Sequence, residues 1–436
     1  MKYIHSFKSW IGETVRRESV KQLGFIYSSR MVTAVLRFIA SIVVARTLGP
    51  SNLGVLTIAT VVMGISGRVV ELGLTTTMVR KVAFYISQDD EDSAVGVFRK
   101  VYIFRVLVSI VLLGLFFFLA PRVAVTFFHN ESLIVPLQLA ALGAFIYNVW
   151  YHSEGVLRAL EKFKEIAIIN VVSQVVRTGL ILLFAYLALL DVEKTLVFNI
   201  SQVVVGFAIA SFIIPRRFFG KKTQKSYPLR TILAYSGWMY LFSLLFMLFD
   251  RLDVLMLGYF RQAVEVGVYS VAFTLIKPFE LIPETFNTVF LPKVSKFTSK
   301  NQIYSYFKDT LKVTGLIAVI GILLIFLAGP LITTFYGTKY LASIRLFQIL
   351  VGAFILLTMI NPLNLVGHSL NKPQVFALMA GINLFLNFFG NLIFIPRYGA
   401  LGAAVVTLIS RVLGGLIGFL ILKYFIDRWE GVASDE

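Results

Sequence analysis

Three observations predict an all-α integral membrane protein of about twelve transmembrane helices in two related halves. Hydrophobic residues make up 58% of the 436 and charged residues only 15%, with a mean hydropathy of +0.82, whereas soluble domains hold roughly 45–50% apolar residues. Breaks rich in charge, Gly or Pro divide the chain into apolar stretches of about 20 residues, the length that crosses a hydrocarbon core. An offset of 213 residues brings Gly24 onto Gly237, Gly54 onto Gly267, Arg37 onto Asp250 and Glu71 onto Glu284, as an internal duplication would.

Residues 1–21 open the chain as a basic segment. Ile4, Phe7, Ile11 and Val15 form a helical stripe beside Lys8, Arg16 and Arg17, which suits either a helix in the headgroup layer or a disordered basic tail. A cleavable signal is not expected, because the next span has full membrane length, carries Arg30 and Arg37, and lacks a small-residue cleavage site. The expected spans are 22–45, 53–78, 100–120, 132–157, 164–189, 195–215, 231–258, 265–291, 312–336, 344–367, 373–395 and 399–423. The first six make an N-terminal half over 22–215, a basic linker covers 216–230, a C-terminal half covers 231–426, and 427–436 is a short flexible tail. A second internal match sets Leu160-Glu-Lys162-Phe against Leu370-Asn-Lys372-Pro373, at an offset of 210.

The net charge of +18 lies mostly in short connectors between apolar spans, so it reads as membrane topology and not as a nucleic-acid surface. Alternate connectors and the two termini hold 26 Lys and Arg residues, against 7 on the opposite side. Because cytoplasmic loops carry the basic excess, both termini are expected in the cytoplasm of a multi-pass cell-membrane protein. The densest connector, Arg216 to Arg230, falls between the sixth and seventh spans. It serves either as a topogenic loop or as a lipid-headgroup contact.

The composition also excludes chemistries. There is no Cys, so disulfides, thiolate metal sites and thiol nucleophiles are absent. His5, His129, His152 and His368 show no metal-ligand spacing, and no phosphate loop or zinc-binding helix occurs. The outer connectors are too short for a soluble catalytic domain.

Several segments carry a family resemblance. They are Ala45-Arg46-Thr-Leu-Gly49-Pro50, Glu71-Leu-Gly73-Leu74, Asp250-Arg251-Leu-Asp253-Val-Leu-Met-Leu-Gly258, Gly267-Val-Tyr269-Ser-Val-Ala272 and Pro396-Arg397-Tyr398-Gly399-Ala-Leu-Gly402-Ala-Ala404. In that order, and with twelve spans, the chain resembles the polysaccharide-type flippases of the multidrug/oligosaccharidyl-lipid/polysaccharide exporter superfamily. The resemblance implies two pseudo-symmetric six-helix lobes around a central cavity. It also implies movement of a polyprenyl-(di)phosphate-linked oligosaccharide from the cytoplasmic to the outer leaflet by alternating access. The expected partners are that lipid-linked glycan and the bilayer, with glycan-assembly enzymes compatible and nucleic acid excluded. No cofactor is implied beyond a coupling proton or sodium ion.

Charges at membrane depth are costly and normally face a partner or a water-filled cavity. Arg30 and Arg37, seven apart on the first span, lie near one helical face, and with Lys277 they are the substrate-binding candidates. A guanidinium fork suits a diphosphate headgroup, although structural ion pairs would account for either arginine equally well. Lys277, Glu280 and Glu284 follow i, i+3, i+7 spacing beside Pro278 and Pro283. The two acids either bind a coupling ion or hold Lys277. Arg68 and Glu71, at i, i+3, either bridge one another or take part in coupling. Asp250 and Asp253 share a face, where they either form an outer gate or pair with Arg37 or another partner between the two halves, while Arg251 points elsewhere. Arg105, Glu154, Arg177 and Arg411 are isolated charges without a predicted partner, and Asn170, Gln174, Asn383 and Asn387 suit sugar or interhelical hydrogen bonds.

Two other functions stay open. A cation-coupled multidrug or small-molecule exporter of the same superfamily would depend chiefly on the acids. A membrane-embedded glycan polymerase or acyltransferase would be expected to carry a large outer loop or histidine-centred chemistry.

Overall fold

The computed structural model describes residues 2–69, 71, 73–220, 247–248, 251–280, 290, 294, 297, 299–369 and 373–428, and among these there is no strand. The main helices are α1 (Lys2–Val69), α2 (Leu74–Ser87), α3 (Glu91–Arg122), α4 (Ile134–Ala159), α5 (Phe163–Tyr186), α6 (Val192–Ile213), α7 (Ala263–Ile276), α8 (Lys300–Phe335), α9 (Ser343–Ser369) and α10 (Pro373–Arg428). Residues 251–260 are also helical. Among the described residues, eight helices are long and apolar enough to cross a membrane. The basic start of the chain is helical and continuous with the first span.

Two of the eight, Gly24–Val69 and Gly381–Ile426, run for 46 residues each. A straight helix of that length covers about 69 Å, more than twice a hydrocarbon core of about 30 Å. Each is divided by a glycine with positive φ, Gly49 at 71° and Gly399 at 57°. That backbone is strained for a residue with a Cβ, and Pro50 next to Gly49 has no N–H to continue the ladder. These two breaks fall in or beside the connectors expected over 46–52 and 396–398.

Other boundaries depart from expectation. The span expected over 53–78 is interrupted, because α1 stops at Val69 and α2 starts at Leu74 after Gly73 at φ 66°. Helix α3 starts well before residue 100, where the Asp90 side chain accepts from the Ser93 N–H at 3.1 Å and caps it. Asp191 caps α6 in the same way through Lys194 N–H at 2.7 Å, and Ser299 with Gln302 forms a capping box on α8. The α-helical part of the eighth span ends at Ile276 and tightens into a 3₁₀ turn over Lys277–Glu280 at Pro278. Most of the seventh span and the rest of the eighth lie outside the described residues.

The chain divides into two compact units. The first comprises Met1–Val44, Val62–Val123 and Ser132–Leu241. Its core joins Leu74 and Met78 of α2 to Phe98 of α3, Trp150 and Leu157 of α4, and Ile169 of α5.

The second unit comprises Ala45–Val61, Ala124–Glu131 and Phe242–Glu436, and one of its cores gathers Val294, Ile303, Leu365, Val366 and Leu422. Here the Gly54 stretch crosses α7 at backbone contact distance. A Cβ on Gly54 would run into the Ala263 carbonyl, and one on Gly267 would run into the Pro50 carbonyl. Pro50 and Ala263 stand 213 residues apart, as do Gly54 and Gly267. The contact is therefore reciprocal across the 213-residue offset. Small residues spaced four apart on both helices permit the approach. Around it, the Tyr340 hydroxyl donates to the Ala45 carbonyl at 2.8 Å and Ser343 donates to the Val268 carbonyl at 2.8 Å. Arg46 Nε donates to the Phe335 carbonyl at 2.8 Å, capping the end of α8.

Candidate functional site

In the first unit the candidate site is cationic. Arg37 on α1 is exposed, and its Nε donates to Oε1 of Gln174 on α5 at 3.2 Å. Gln174 is fully buried; its Nε2 donates to the Thr178 hydroxyl at 3.1 Å, which donates in turn to the Leu36 carbonyl at 3.5 Å. This chain of donors holds the amide with its oxygen toward Arg37. Three residues further along α5, Arg177 donates from Nε to Oδ1 of Asn199 on α6 at 2.6 Å. Neither arginine forms an ion pair among the described residues. Arg30, also exposed, lies two turns before Arg37 on α1.

The interruption before α2 makes a second polar place in this unit. Arg68 and Glu71 form no ion pair; a backbone hydrogen bond of 3.0 Å from Glu71 N–H to the Arg68 carbonyl joins them instead. Arg105 of α3 is only 1% exposed and donates from Nη2 to the Thr75 hydroxyl at 2.8 Å, while its Nε and Nη1 have no hydrogen-bond partner among the described residues. Glu71 is within electrostatic reach of it. The buried His152 ring lies 4.6 Å from Phe98 and 5.1 Å from Tyr102 by ring centroids, a packing role. Glu154 pairs with Arg158 at 2.7 Å.

In the second unit the site is acidic and rich in oxygen. Asp253 is buried; its Oδ2 accepts from the Tyr269 hydroxyl at 2.7 Å and the Thr407 hydroxyl at 2.9 Å, and its Oδ1 accepts from Asn391 Nδ2 at 2.8 Å. Asn391 also donates to Asn387 Oδ1 at 2.9 Å, and its own Oδ1 is buried without a partner among the described residues. Thr407 has a second acceptor in the Ala403 carbonyl at 3.0 Å, so its oxygen can turn lone pairs inward. A carboxylate, two amide oxygens and a hydroxyl are the donor types that hard cations take, and the carboxylate equally suits a proton. Of the remaining candidates, Lys277 Nζ lies 5.1 Å from the Phe273 ring centroid and Arg251 lies 5.5 Å from it. Asp250, Glu284 and the Glu280 side chain lie outside the described residues.

Asn391, Thr407 and Asn199 were not among the residues singled out from sequence, and Tyr269 stood there only within the Gly267–Ala272 segment, without a role. Asn391 lies four residues from Asn387 on one helical face, a spacing that could have joined it to the Asp253 site.

Comparison with known proteins matches residues 43–345 to a family described as polysaccharide biosynthesis protein. A curated relative from Haloferax volcanii, named "Probable low-salt glycan biosynthesis flippase Agl15", is 22% identical over 427 residues, covering 94% of this chain and 84% of the relative. Among solved structures, the lipid II flippase MurJ in an inward closed conformation shares the fold with a TM-score of 0.74 at 16% identity, covering 91% of this chain and 87% of that one. An inward-facing multidrug resistance MATE family transporter of the MOP superfamily shares it with a TM-score of 0.69 at 15% identity, covering 91% and 95%.

Proposed function

The chain belongs to the family of polysaccharide biosynthesis proteins, and on that premise we propose that it is an alternating-access flippase for a polyprenyl-(di)phosphate-linked oligosaccharide. The movement runs from the cytoplasmic to the outer leaflet and serves surface glycan assembly. Twelve helices in two lobes, with both termini in the cytoplasm, complete the reading. The flippase name of the Haloferax relative supports the substrate class. The observation that carries the reading is Arg37, an exposed arginine within an apolar span, anchored by a neutral amide and facing no carboxylate among the described residues. Such a group needs an anion, and a diphosphate headgroup supplies one while its lipid tail stays in the bilayer.

Asp253 is the coupling residue in this scheme. With Asn387, Asn391 and Thr407 it would hold a sodium ion, or accept a proton, and either event neutralises a buried carboxylate. Ion occupancy then biases one conformation over the other by its differential affinity.

The test is reconstitution in proteoliposomes with two labelled substrates, a polyprenyl-diphosphate oligosaccharide and a cationic dye. Transfer of the lipid-linked glycan without dye efflux is expected. Dye efflux without glycan transfer would move the protein to the drug-exporter class.

A further inference from the structure

We propose that the interruption between α1 and α2 and the stripe of α4 that faces it form a saccharide-binding site, with Glu71, Tyr147, Tyr151 and Glu154 as its contacts and the hydroxyls of an uncharged sugar as its ligand. The inference rests on the flippase reading for the lipid that carries the sugar, and it gives these residues a role that the reading leaves open.

Non-helical backbone at membrane depth is tolerated only inside protein or along a water-filled cavity. The interruption between Val69 and Leu74 falls in an apolar stretch, and Arg68 beside it is exposed. An exposed guanidinium there faces water and not lipid. Four helices meet at this break. A Cβ on Gly67, near the end of α1, would stand 3.2 Å from the Tyr147 ring, and one on Gly155 of α4 would stand 2.8 Å from the methyl of Thr75 at the start of α2. The Thr75 hydroxyl accepts from Arg105 of α3, whose guanidinium carbon lies 5.9 Å from the Tyr151 ring centroid. Tyr147, Tyr151 and Gly155 follow i, i+4, i+8 spacing, so one face of α4 lines the break.

The chemistry of that face is mixed in sign. The half-buried rings of Tyr147 and Tyr151 stack with centroids 5.8 Å apart and 14° between planes. Arg158 lies 5.6 Å from the Tyr151 centroid and pairs with Glu154 at 2.7 Å. Glu71, also half-buried, is within electrostatic reach of both tyrosines and forms no ion pair with Arg68. Carboxylates only accept hydrogen bonds, guanidiniums only donate, and a phenol does both. A sugar hydroxyl also does both, so it is served by every group here, whereas a phosphate oxygen only accepts and would meet two carboxylates. The tyrosines add an apolar surface with a polar rim for the C–H face of a sugar ring. Buried at the same place, Arg105 Nε and Nη1 have no hydrogen-bond partner among the described residues, a polar demand that a bound hydroxyl meets.

The experiment uses the full-length protein in nanodiscs and four probes: polyprenyl diphosphates carrying a hexose, a deoxyhexose or an N-acetylhexosamine, and the bare polyprenyl diphosphate. Native protein should bind at least one glycosylated probe at least about ten-fold tighter than the bare lipid, the worth of a hydrogen bond to a charged group. Tyr151→Leu and Glu71→Gln should each bring that probe down to bare-lipid affinity and leave the bare lipid unchanged, while Tyr151→Phe keeps part of the preference. Equal native affinity for all four probes overturns the proposal. So does a folded Tyr151→Leu that keeps the native preference or weakens glycosylated and bare lipid alike. If Tyr151→Leu does not fold, Glu71→Gln and Tyr147→Leu decide by the same criterion. Transfer across proteoliposomes, measured in parallel, separates the two readings. Transfer of a glycosylated probe without sugar-dependent binding removes the site and leaves the flippase, and sugar-dependent binding without transfer leaves the site and removes the flippase.

Discussion

Gly54 and Gly267 meet backbone to backbone: a Cβ placed on Gly267 would lie 3.1 Å from the Gly54 nitrogen as well as striking the Pro50 carbonyl. They stand 213 residues apart in the chain, and neither has room for a side chain. The contact joins the Gly54 stretch of α1 to α7 within the second unit, so a side chain added at either position must push the two segments apart.

Gly54→Leu should therefore shift the protein out of the conformation described. Because the chain has no cysteine, a single Val266→Cys reports on the crossing without background. Labelling by a membrane-impermeant maleimide should rise roughly ten-fold in the leucine variant, a change that needs only about 1.4 kcal/mol. Equal labelling would show that the crossing stays shut.

Asp253→Asn should keep the fold and lose ion-dependent transport, because the amide preserves the shape but cannot carry the charge that Tyr269, Asn391 and Thr407 serve. Asp253→Ala leaves the Tyr269 hydroxyl and one Asn391 N–H without an acceptor, while Thr407 keeps the Ala403 carbonyl; at about 1–3 kcal/mol for each unpaired buried donor, it should melt well below Asp253→Asn. Transport by Asp253→Asn with native sodium and pH dependence would exclude the residue from coupling.

Thr75→Val removes the hydrogen-bond partner of the buried Arg105. Bonds to charged groups contribute about 1.5–3 kcal/mol, so a lowered melting temperature is expected, with Arg105→Met recovering part of it by removing the buried charge. A Thr75→Val protein as stable as native would mean that the guanidinium has another partner.

The turns at Gly49-Pro50 and Gly399 are readable from sequence because their chemistry is local: positive φ and a missing N–H are written into single residues. The interruption at Glu71 is not, since Val69 to Leu74 offers one glycine among apolar neighbours and hydropathy reads through it. Asp253 was legible as a charge in an apolar run, but its partners lie as many as 154 positions away and depend on which helices pack together. The same limit hid Asn199 behind Arg177, two helices whose relative rotation no periodicity reports. Gln174 was visible as a polar residue, and only its distance to Arg37 shows which of its two expected uses applies.

The most direct test of the flippase account is the rate at which a labelled polyprenyl-diphosphate oligosaccharide crosses the bilayer of proteoliposomes holding native protein or Arg37→Gln, with folding of both checked by thermal melting. Native protein should transfer the lipid and Arg37→Gln should lose at least about ten-fold of that rate, equivalent to ~1.4 kcal/mol of headgroup recognition. An Arg37→Gln protein that is folded and transfers the lipid at the native rate would contradict the claim that this intramembrane arginine recognises the headgroup.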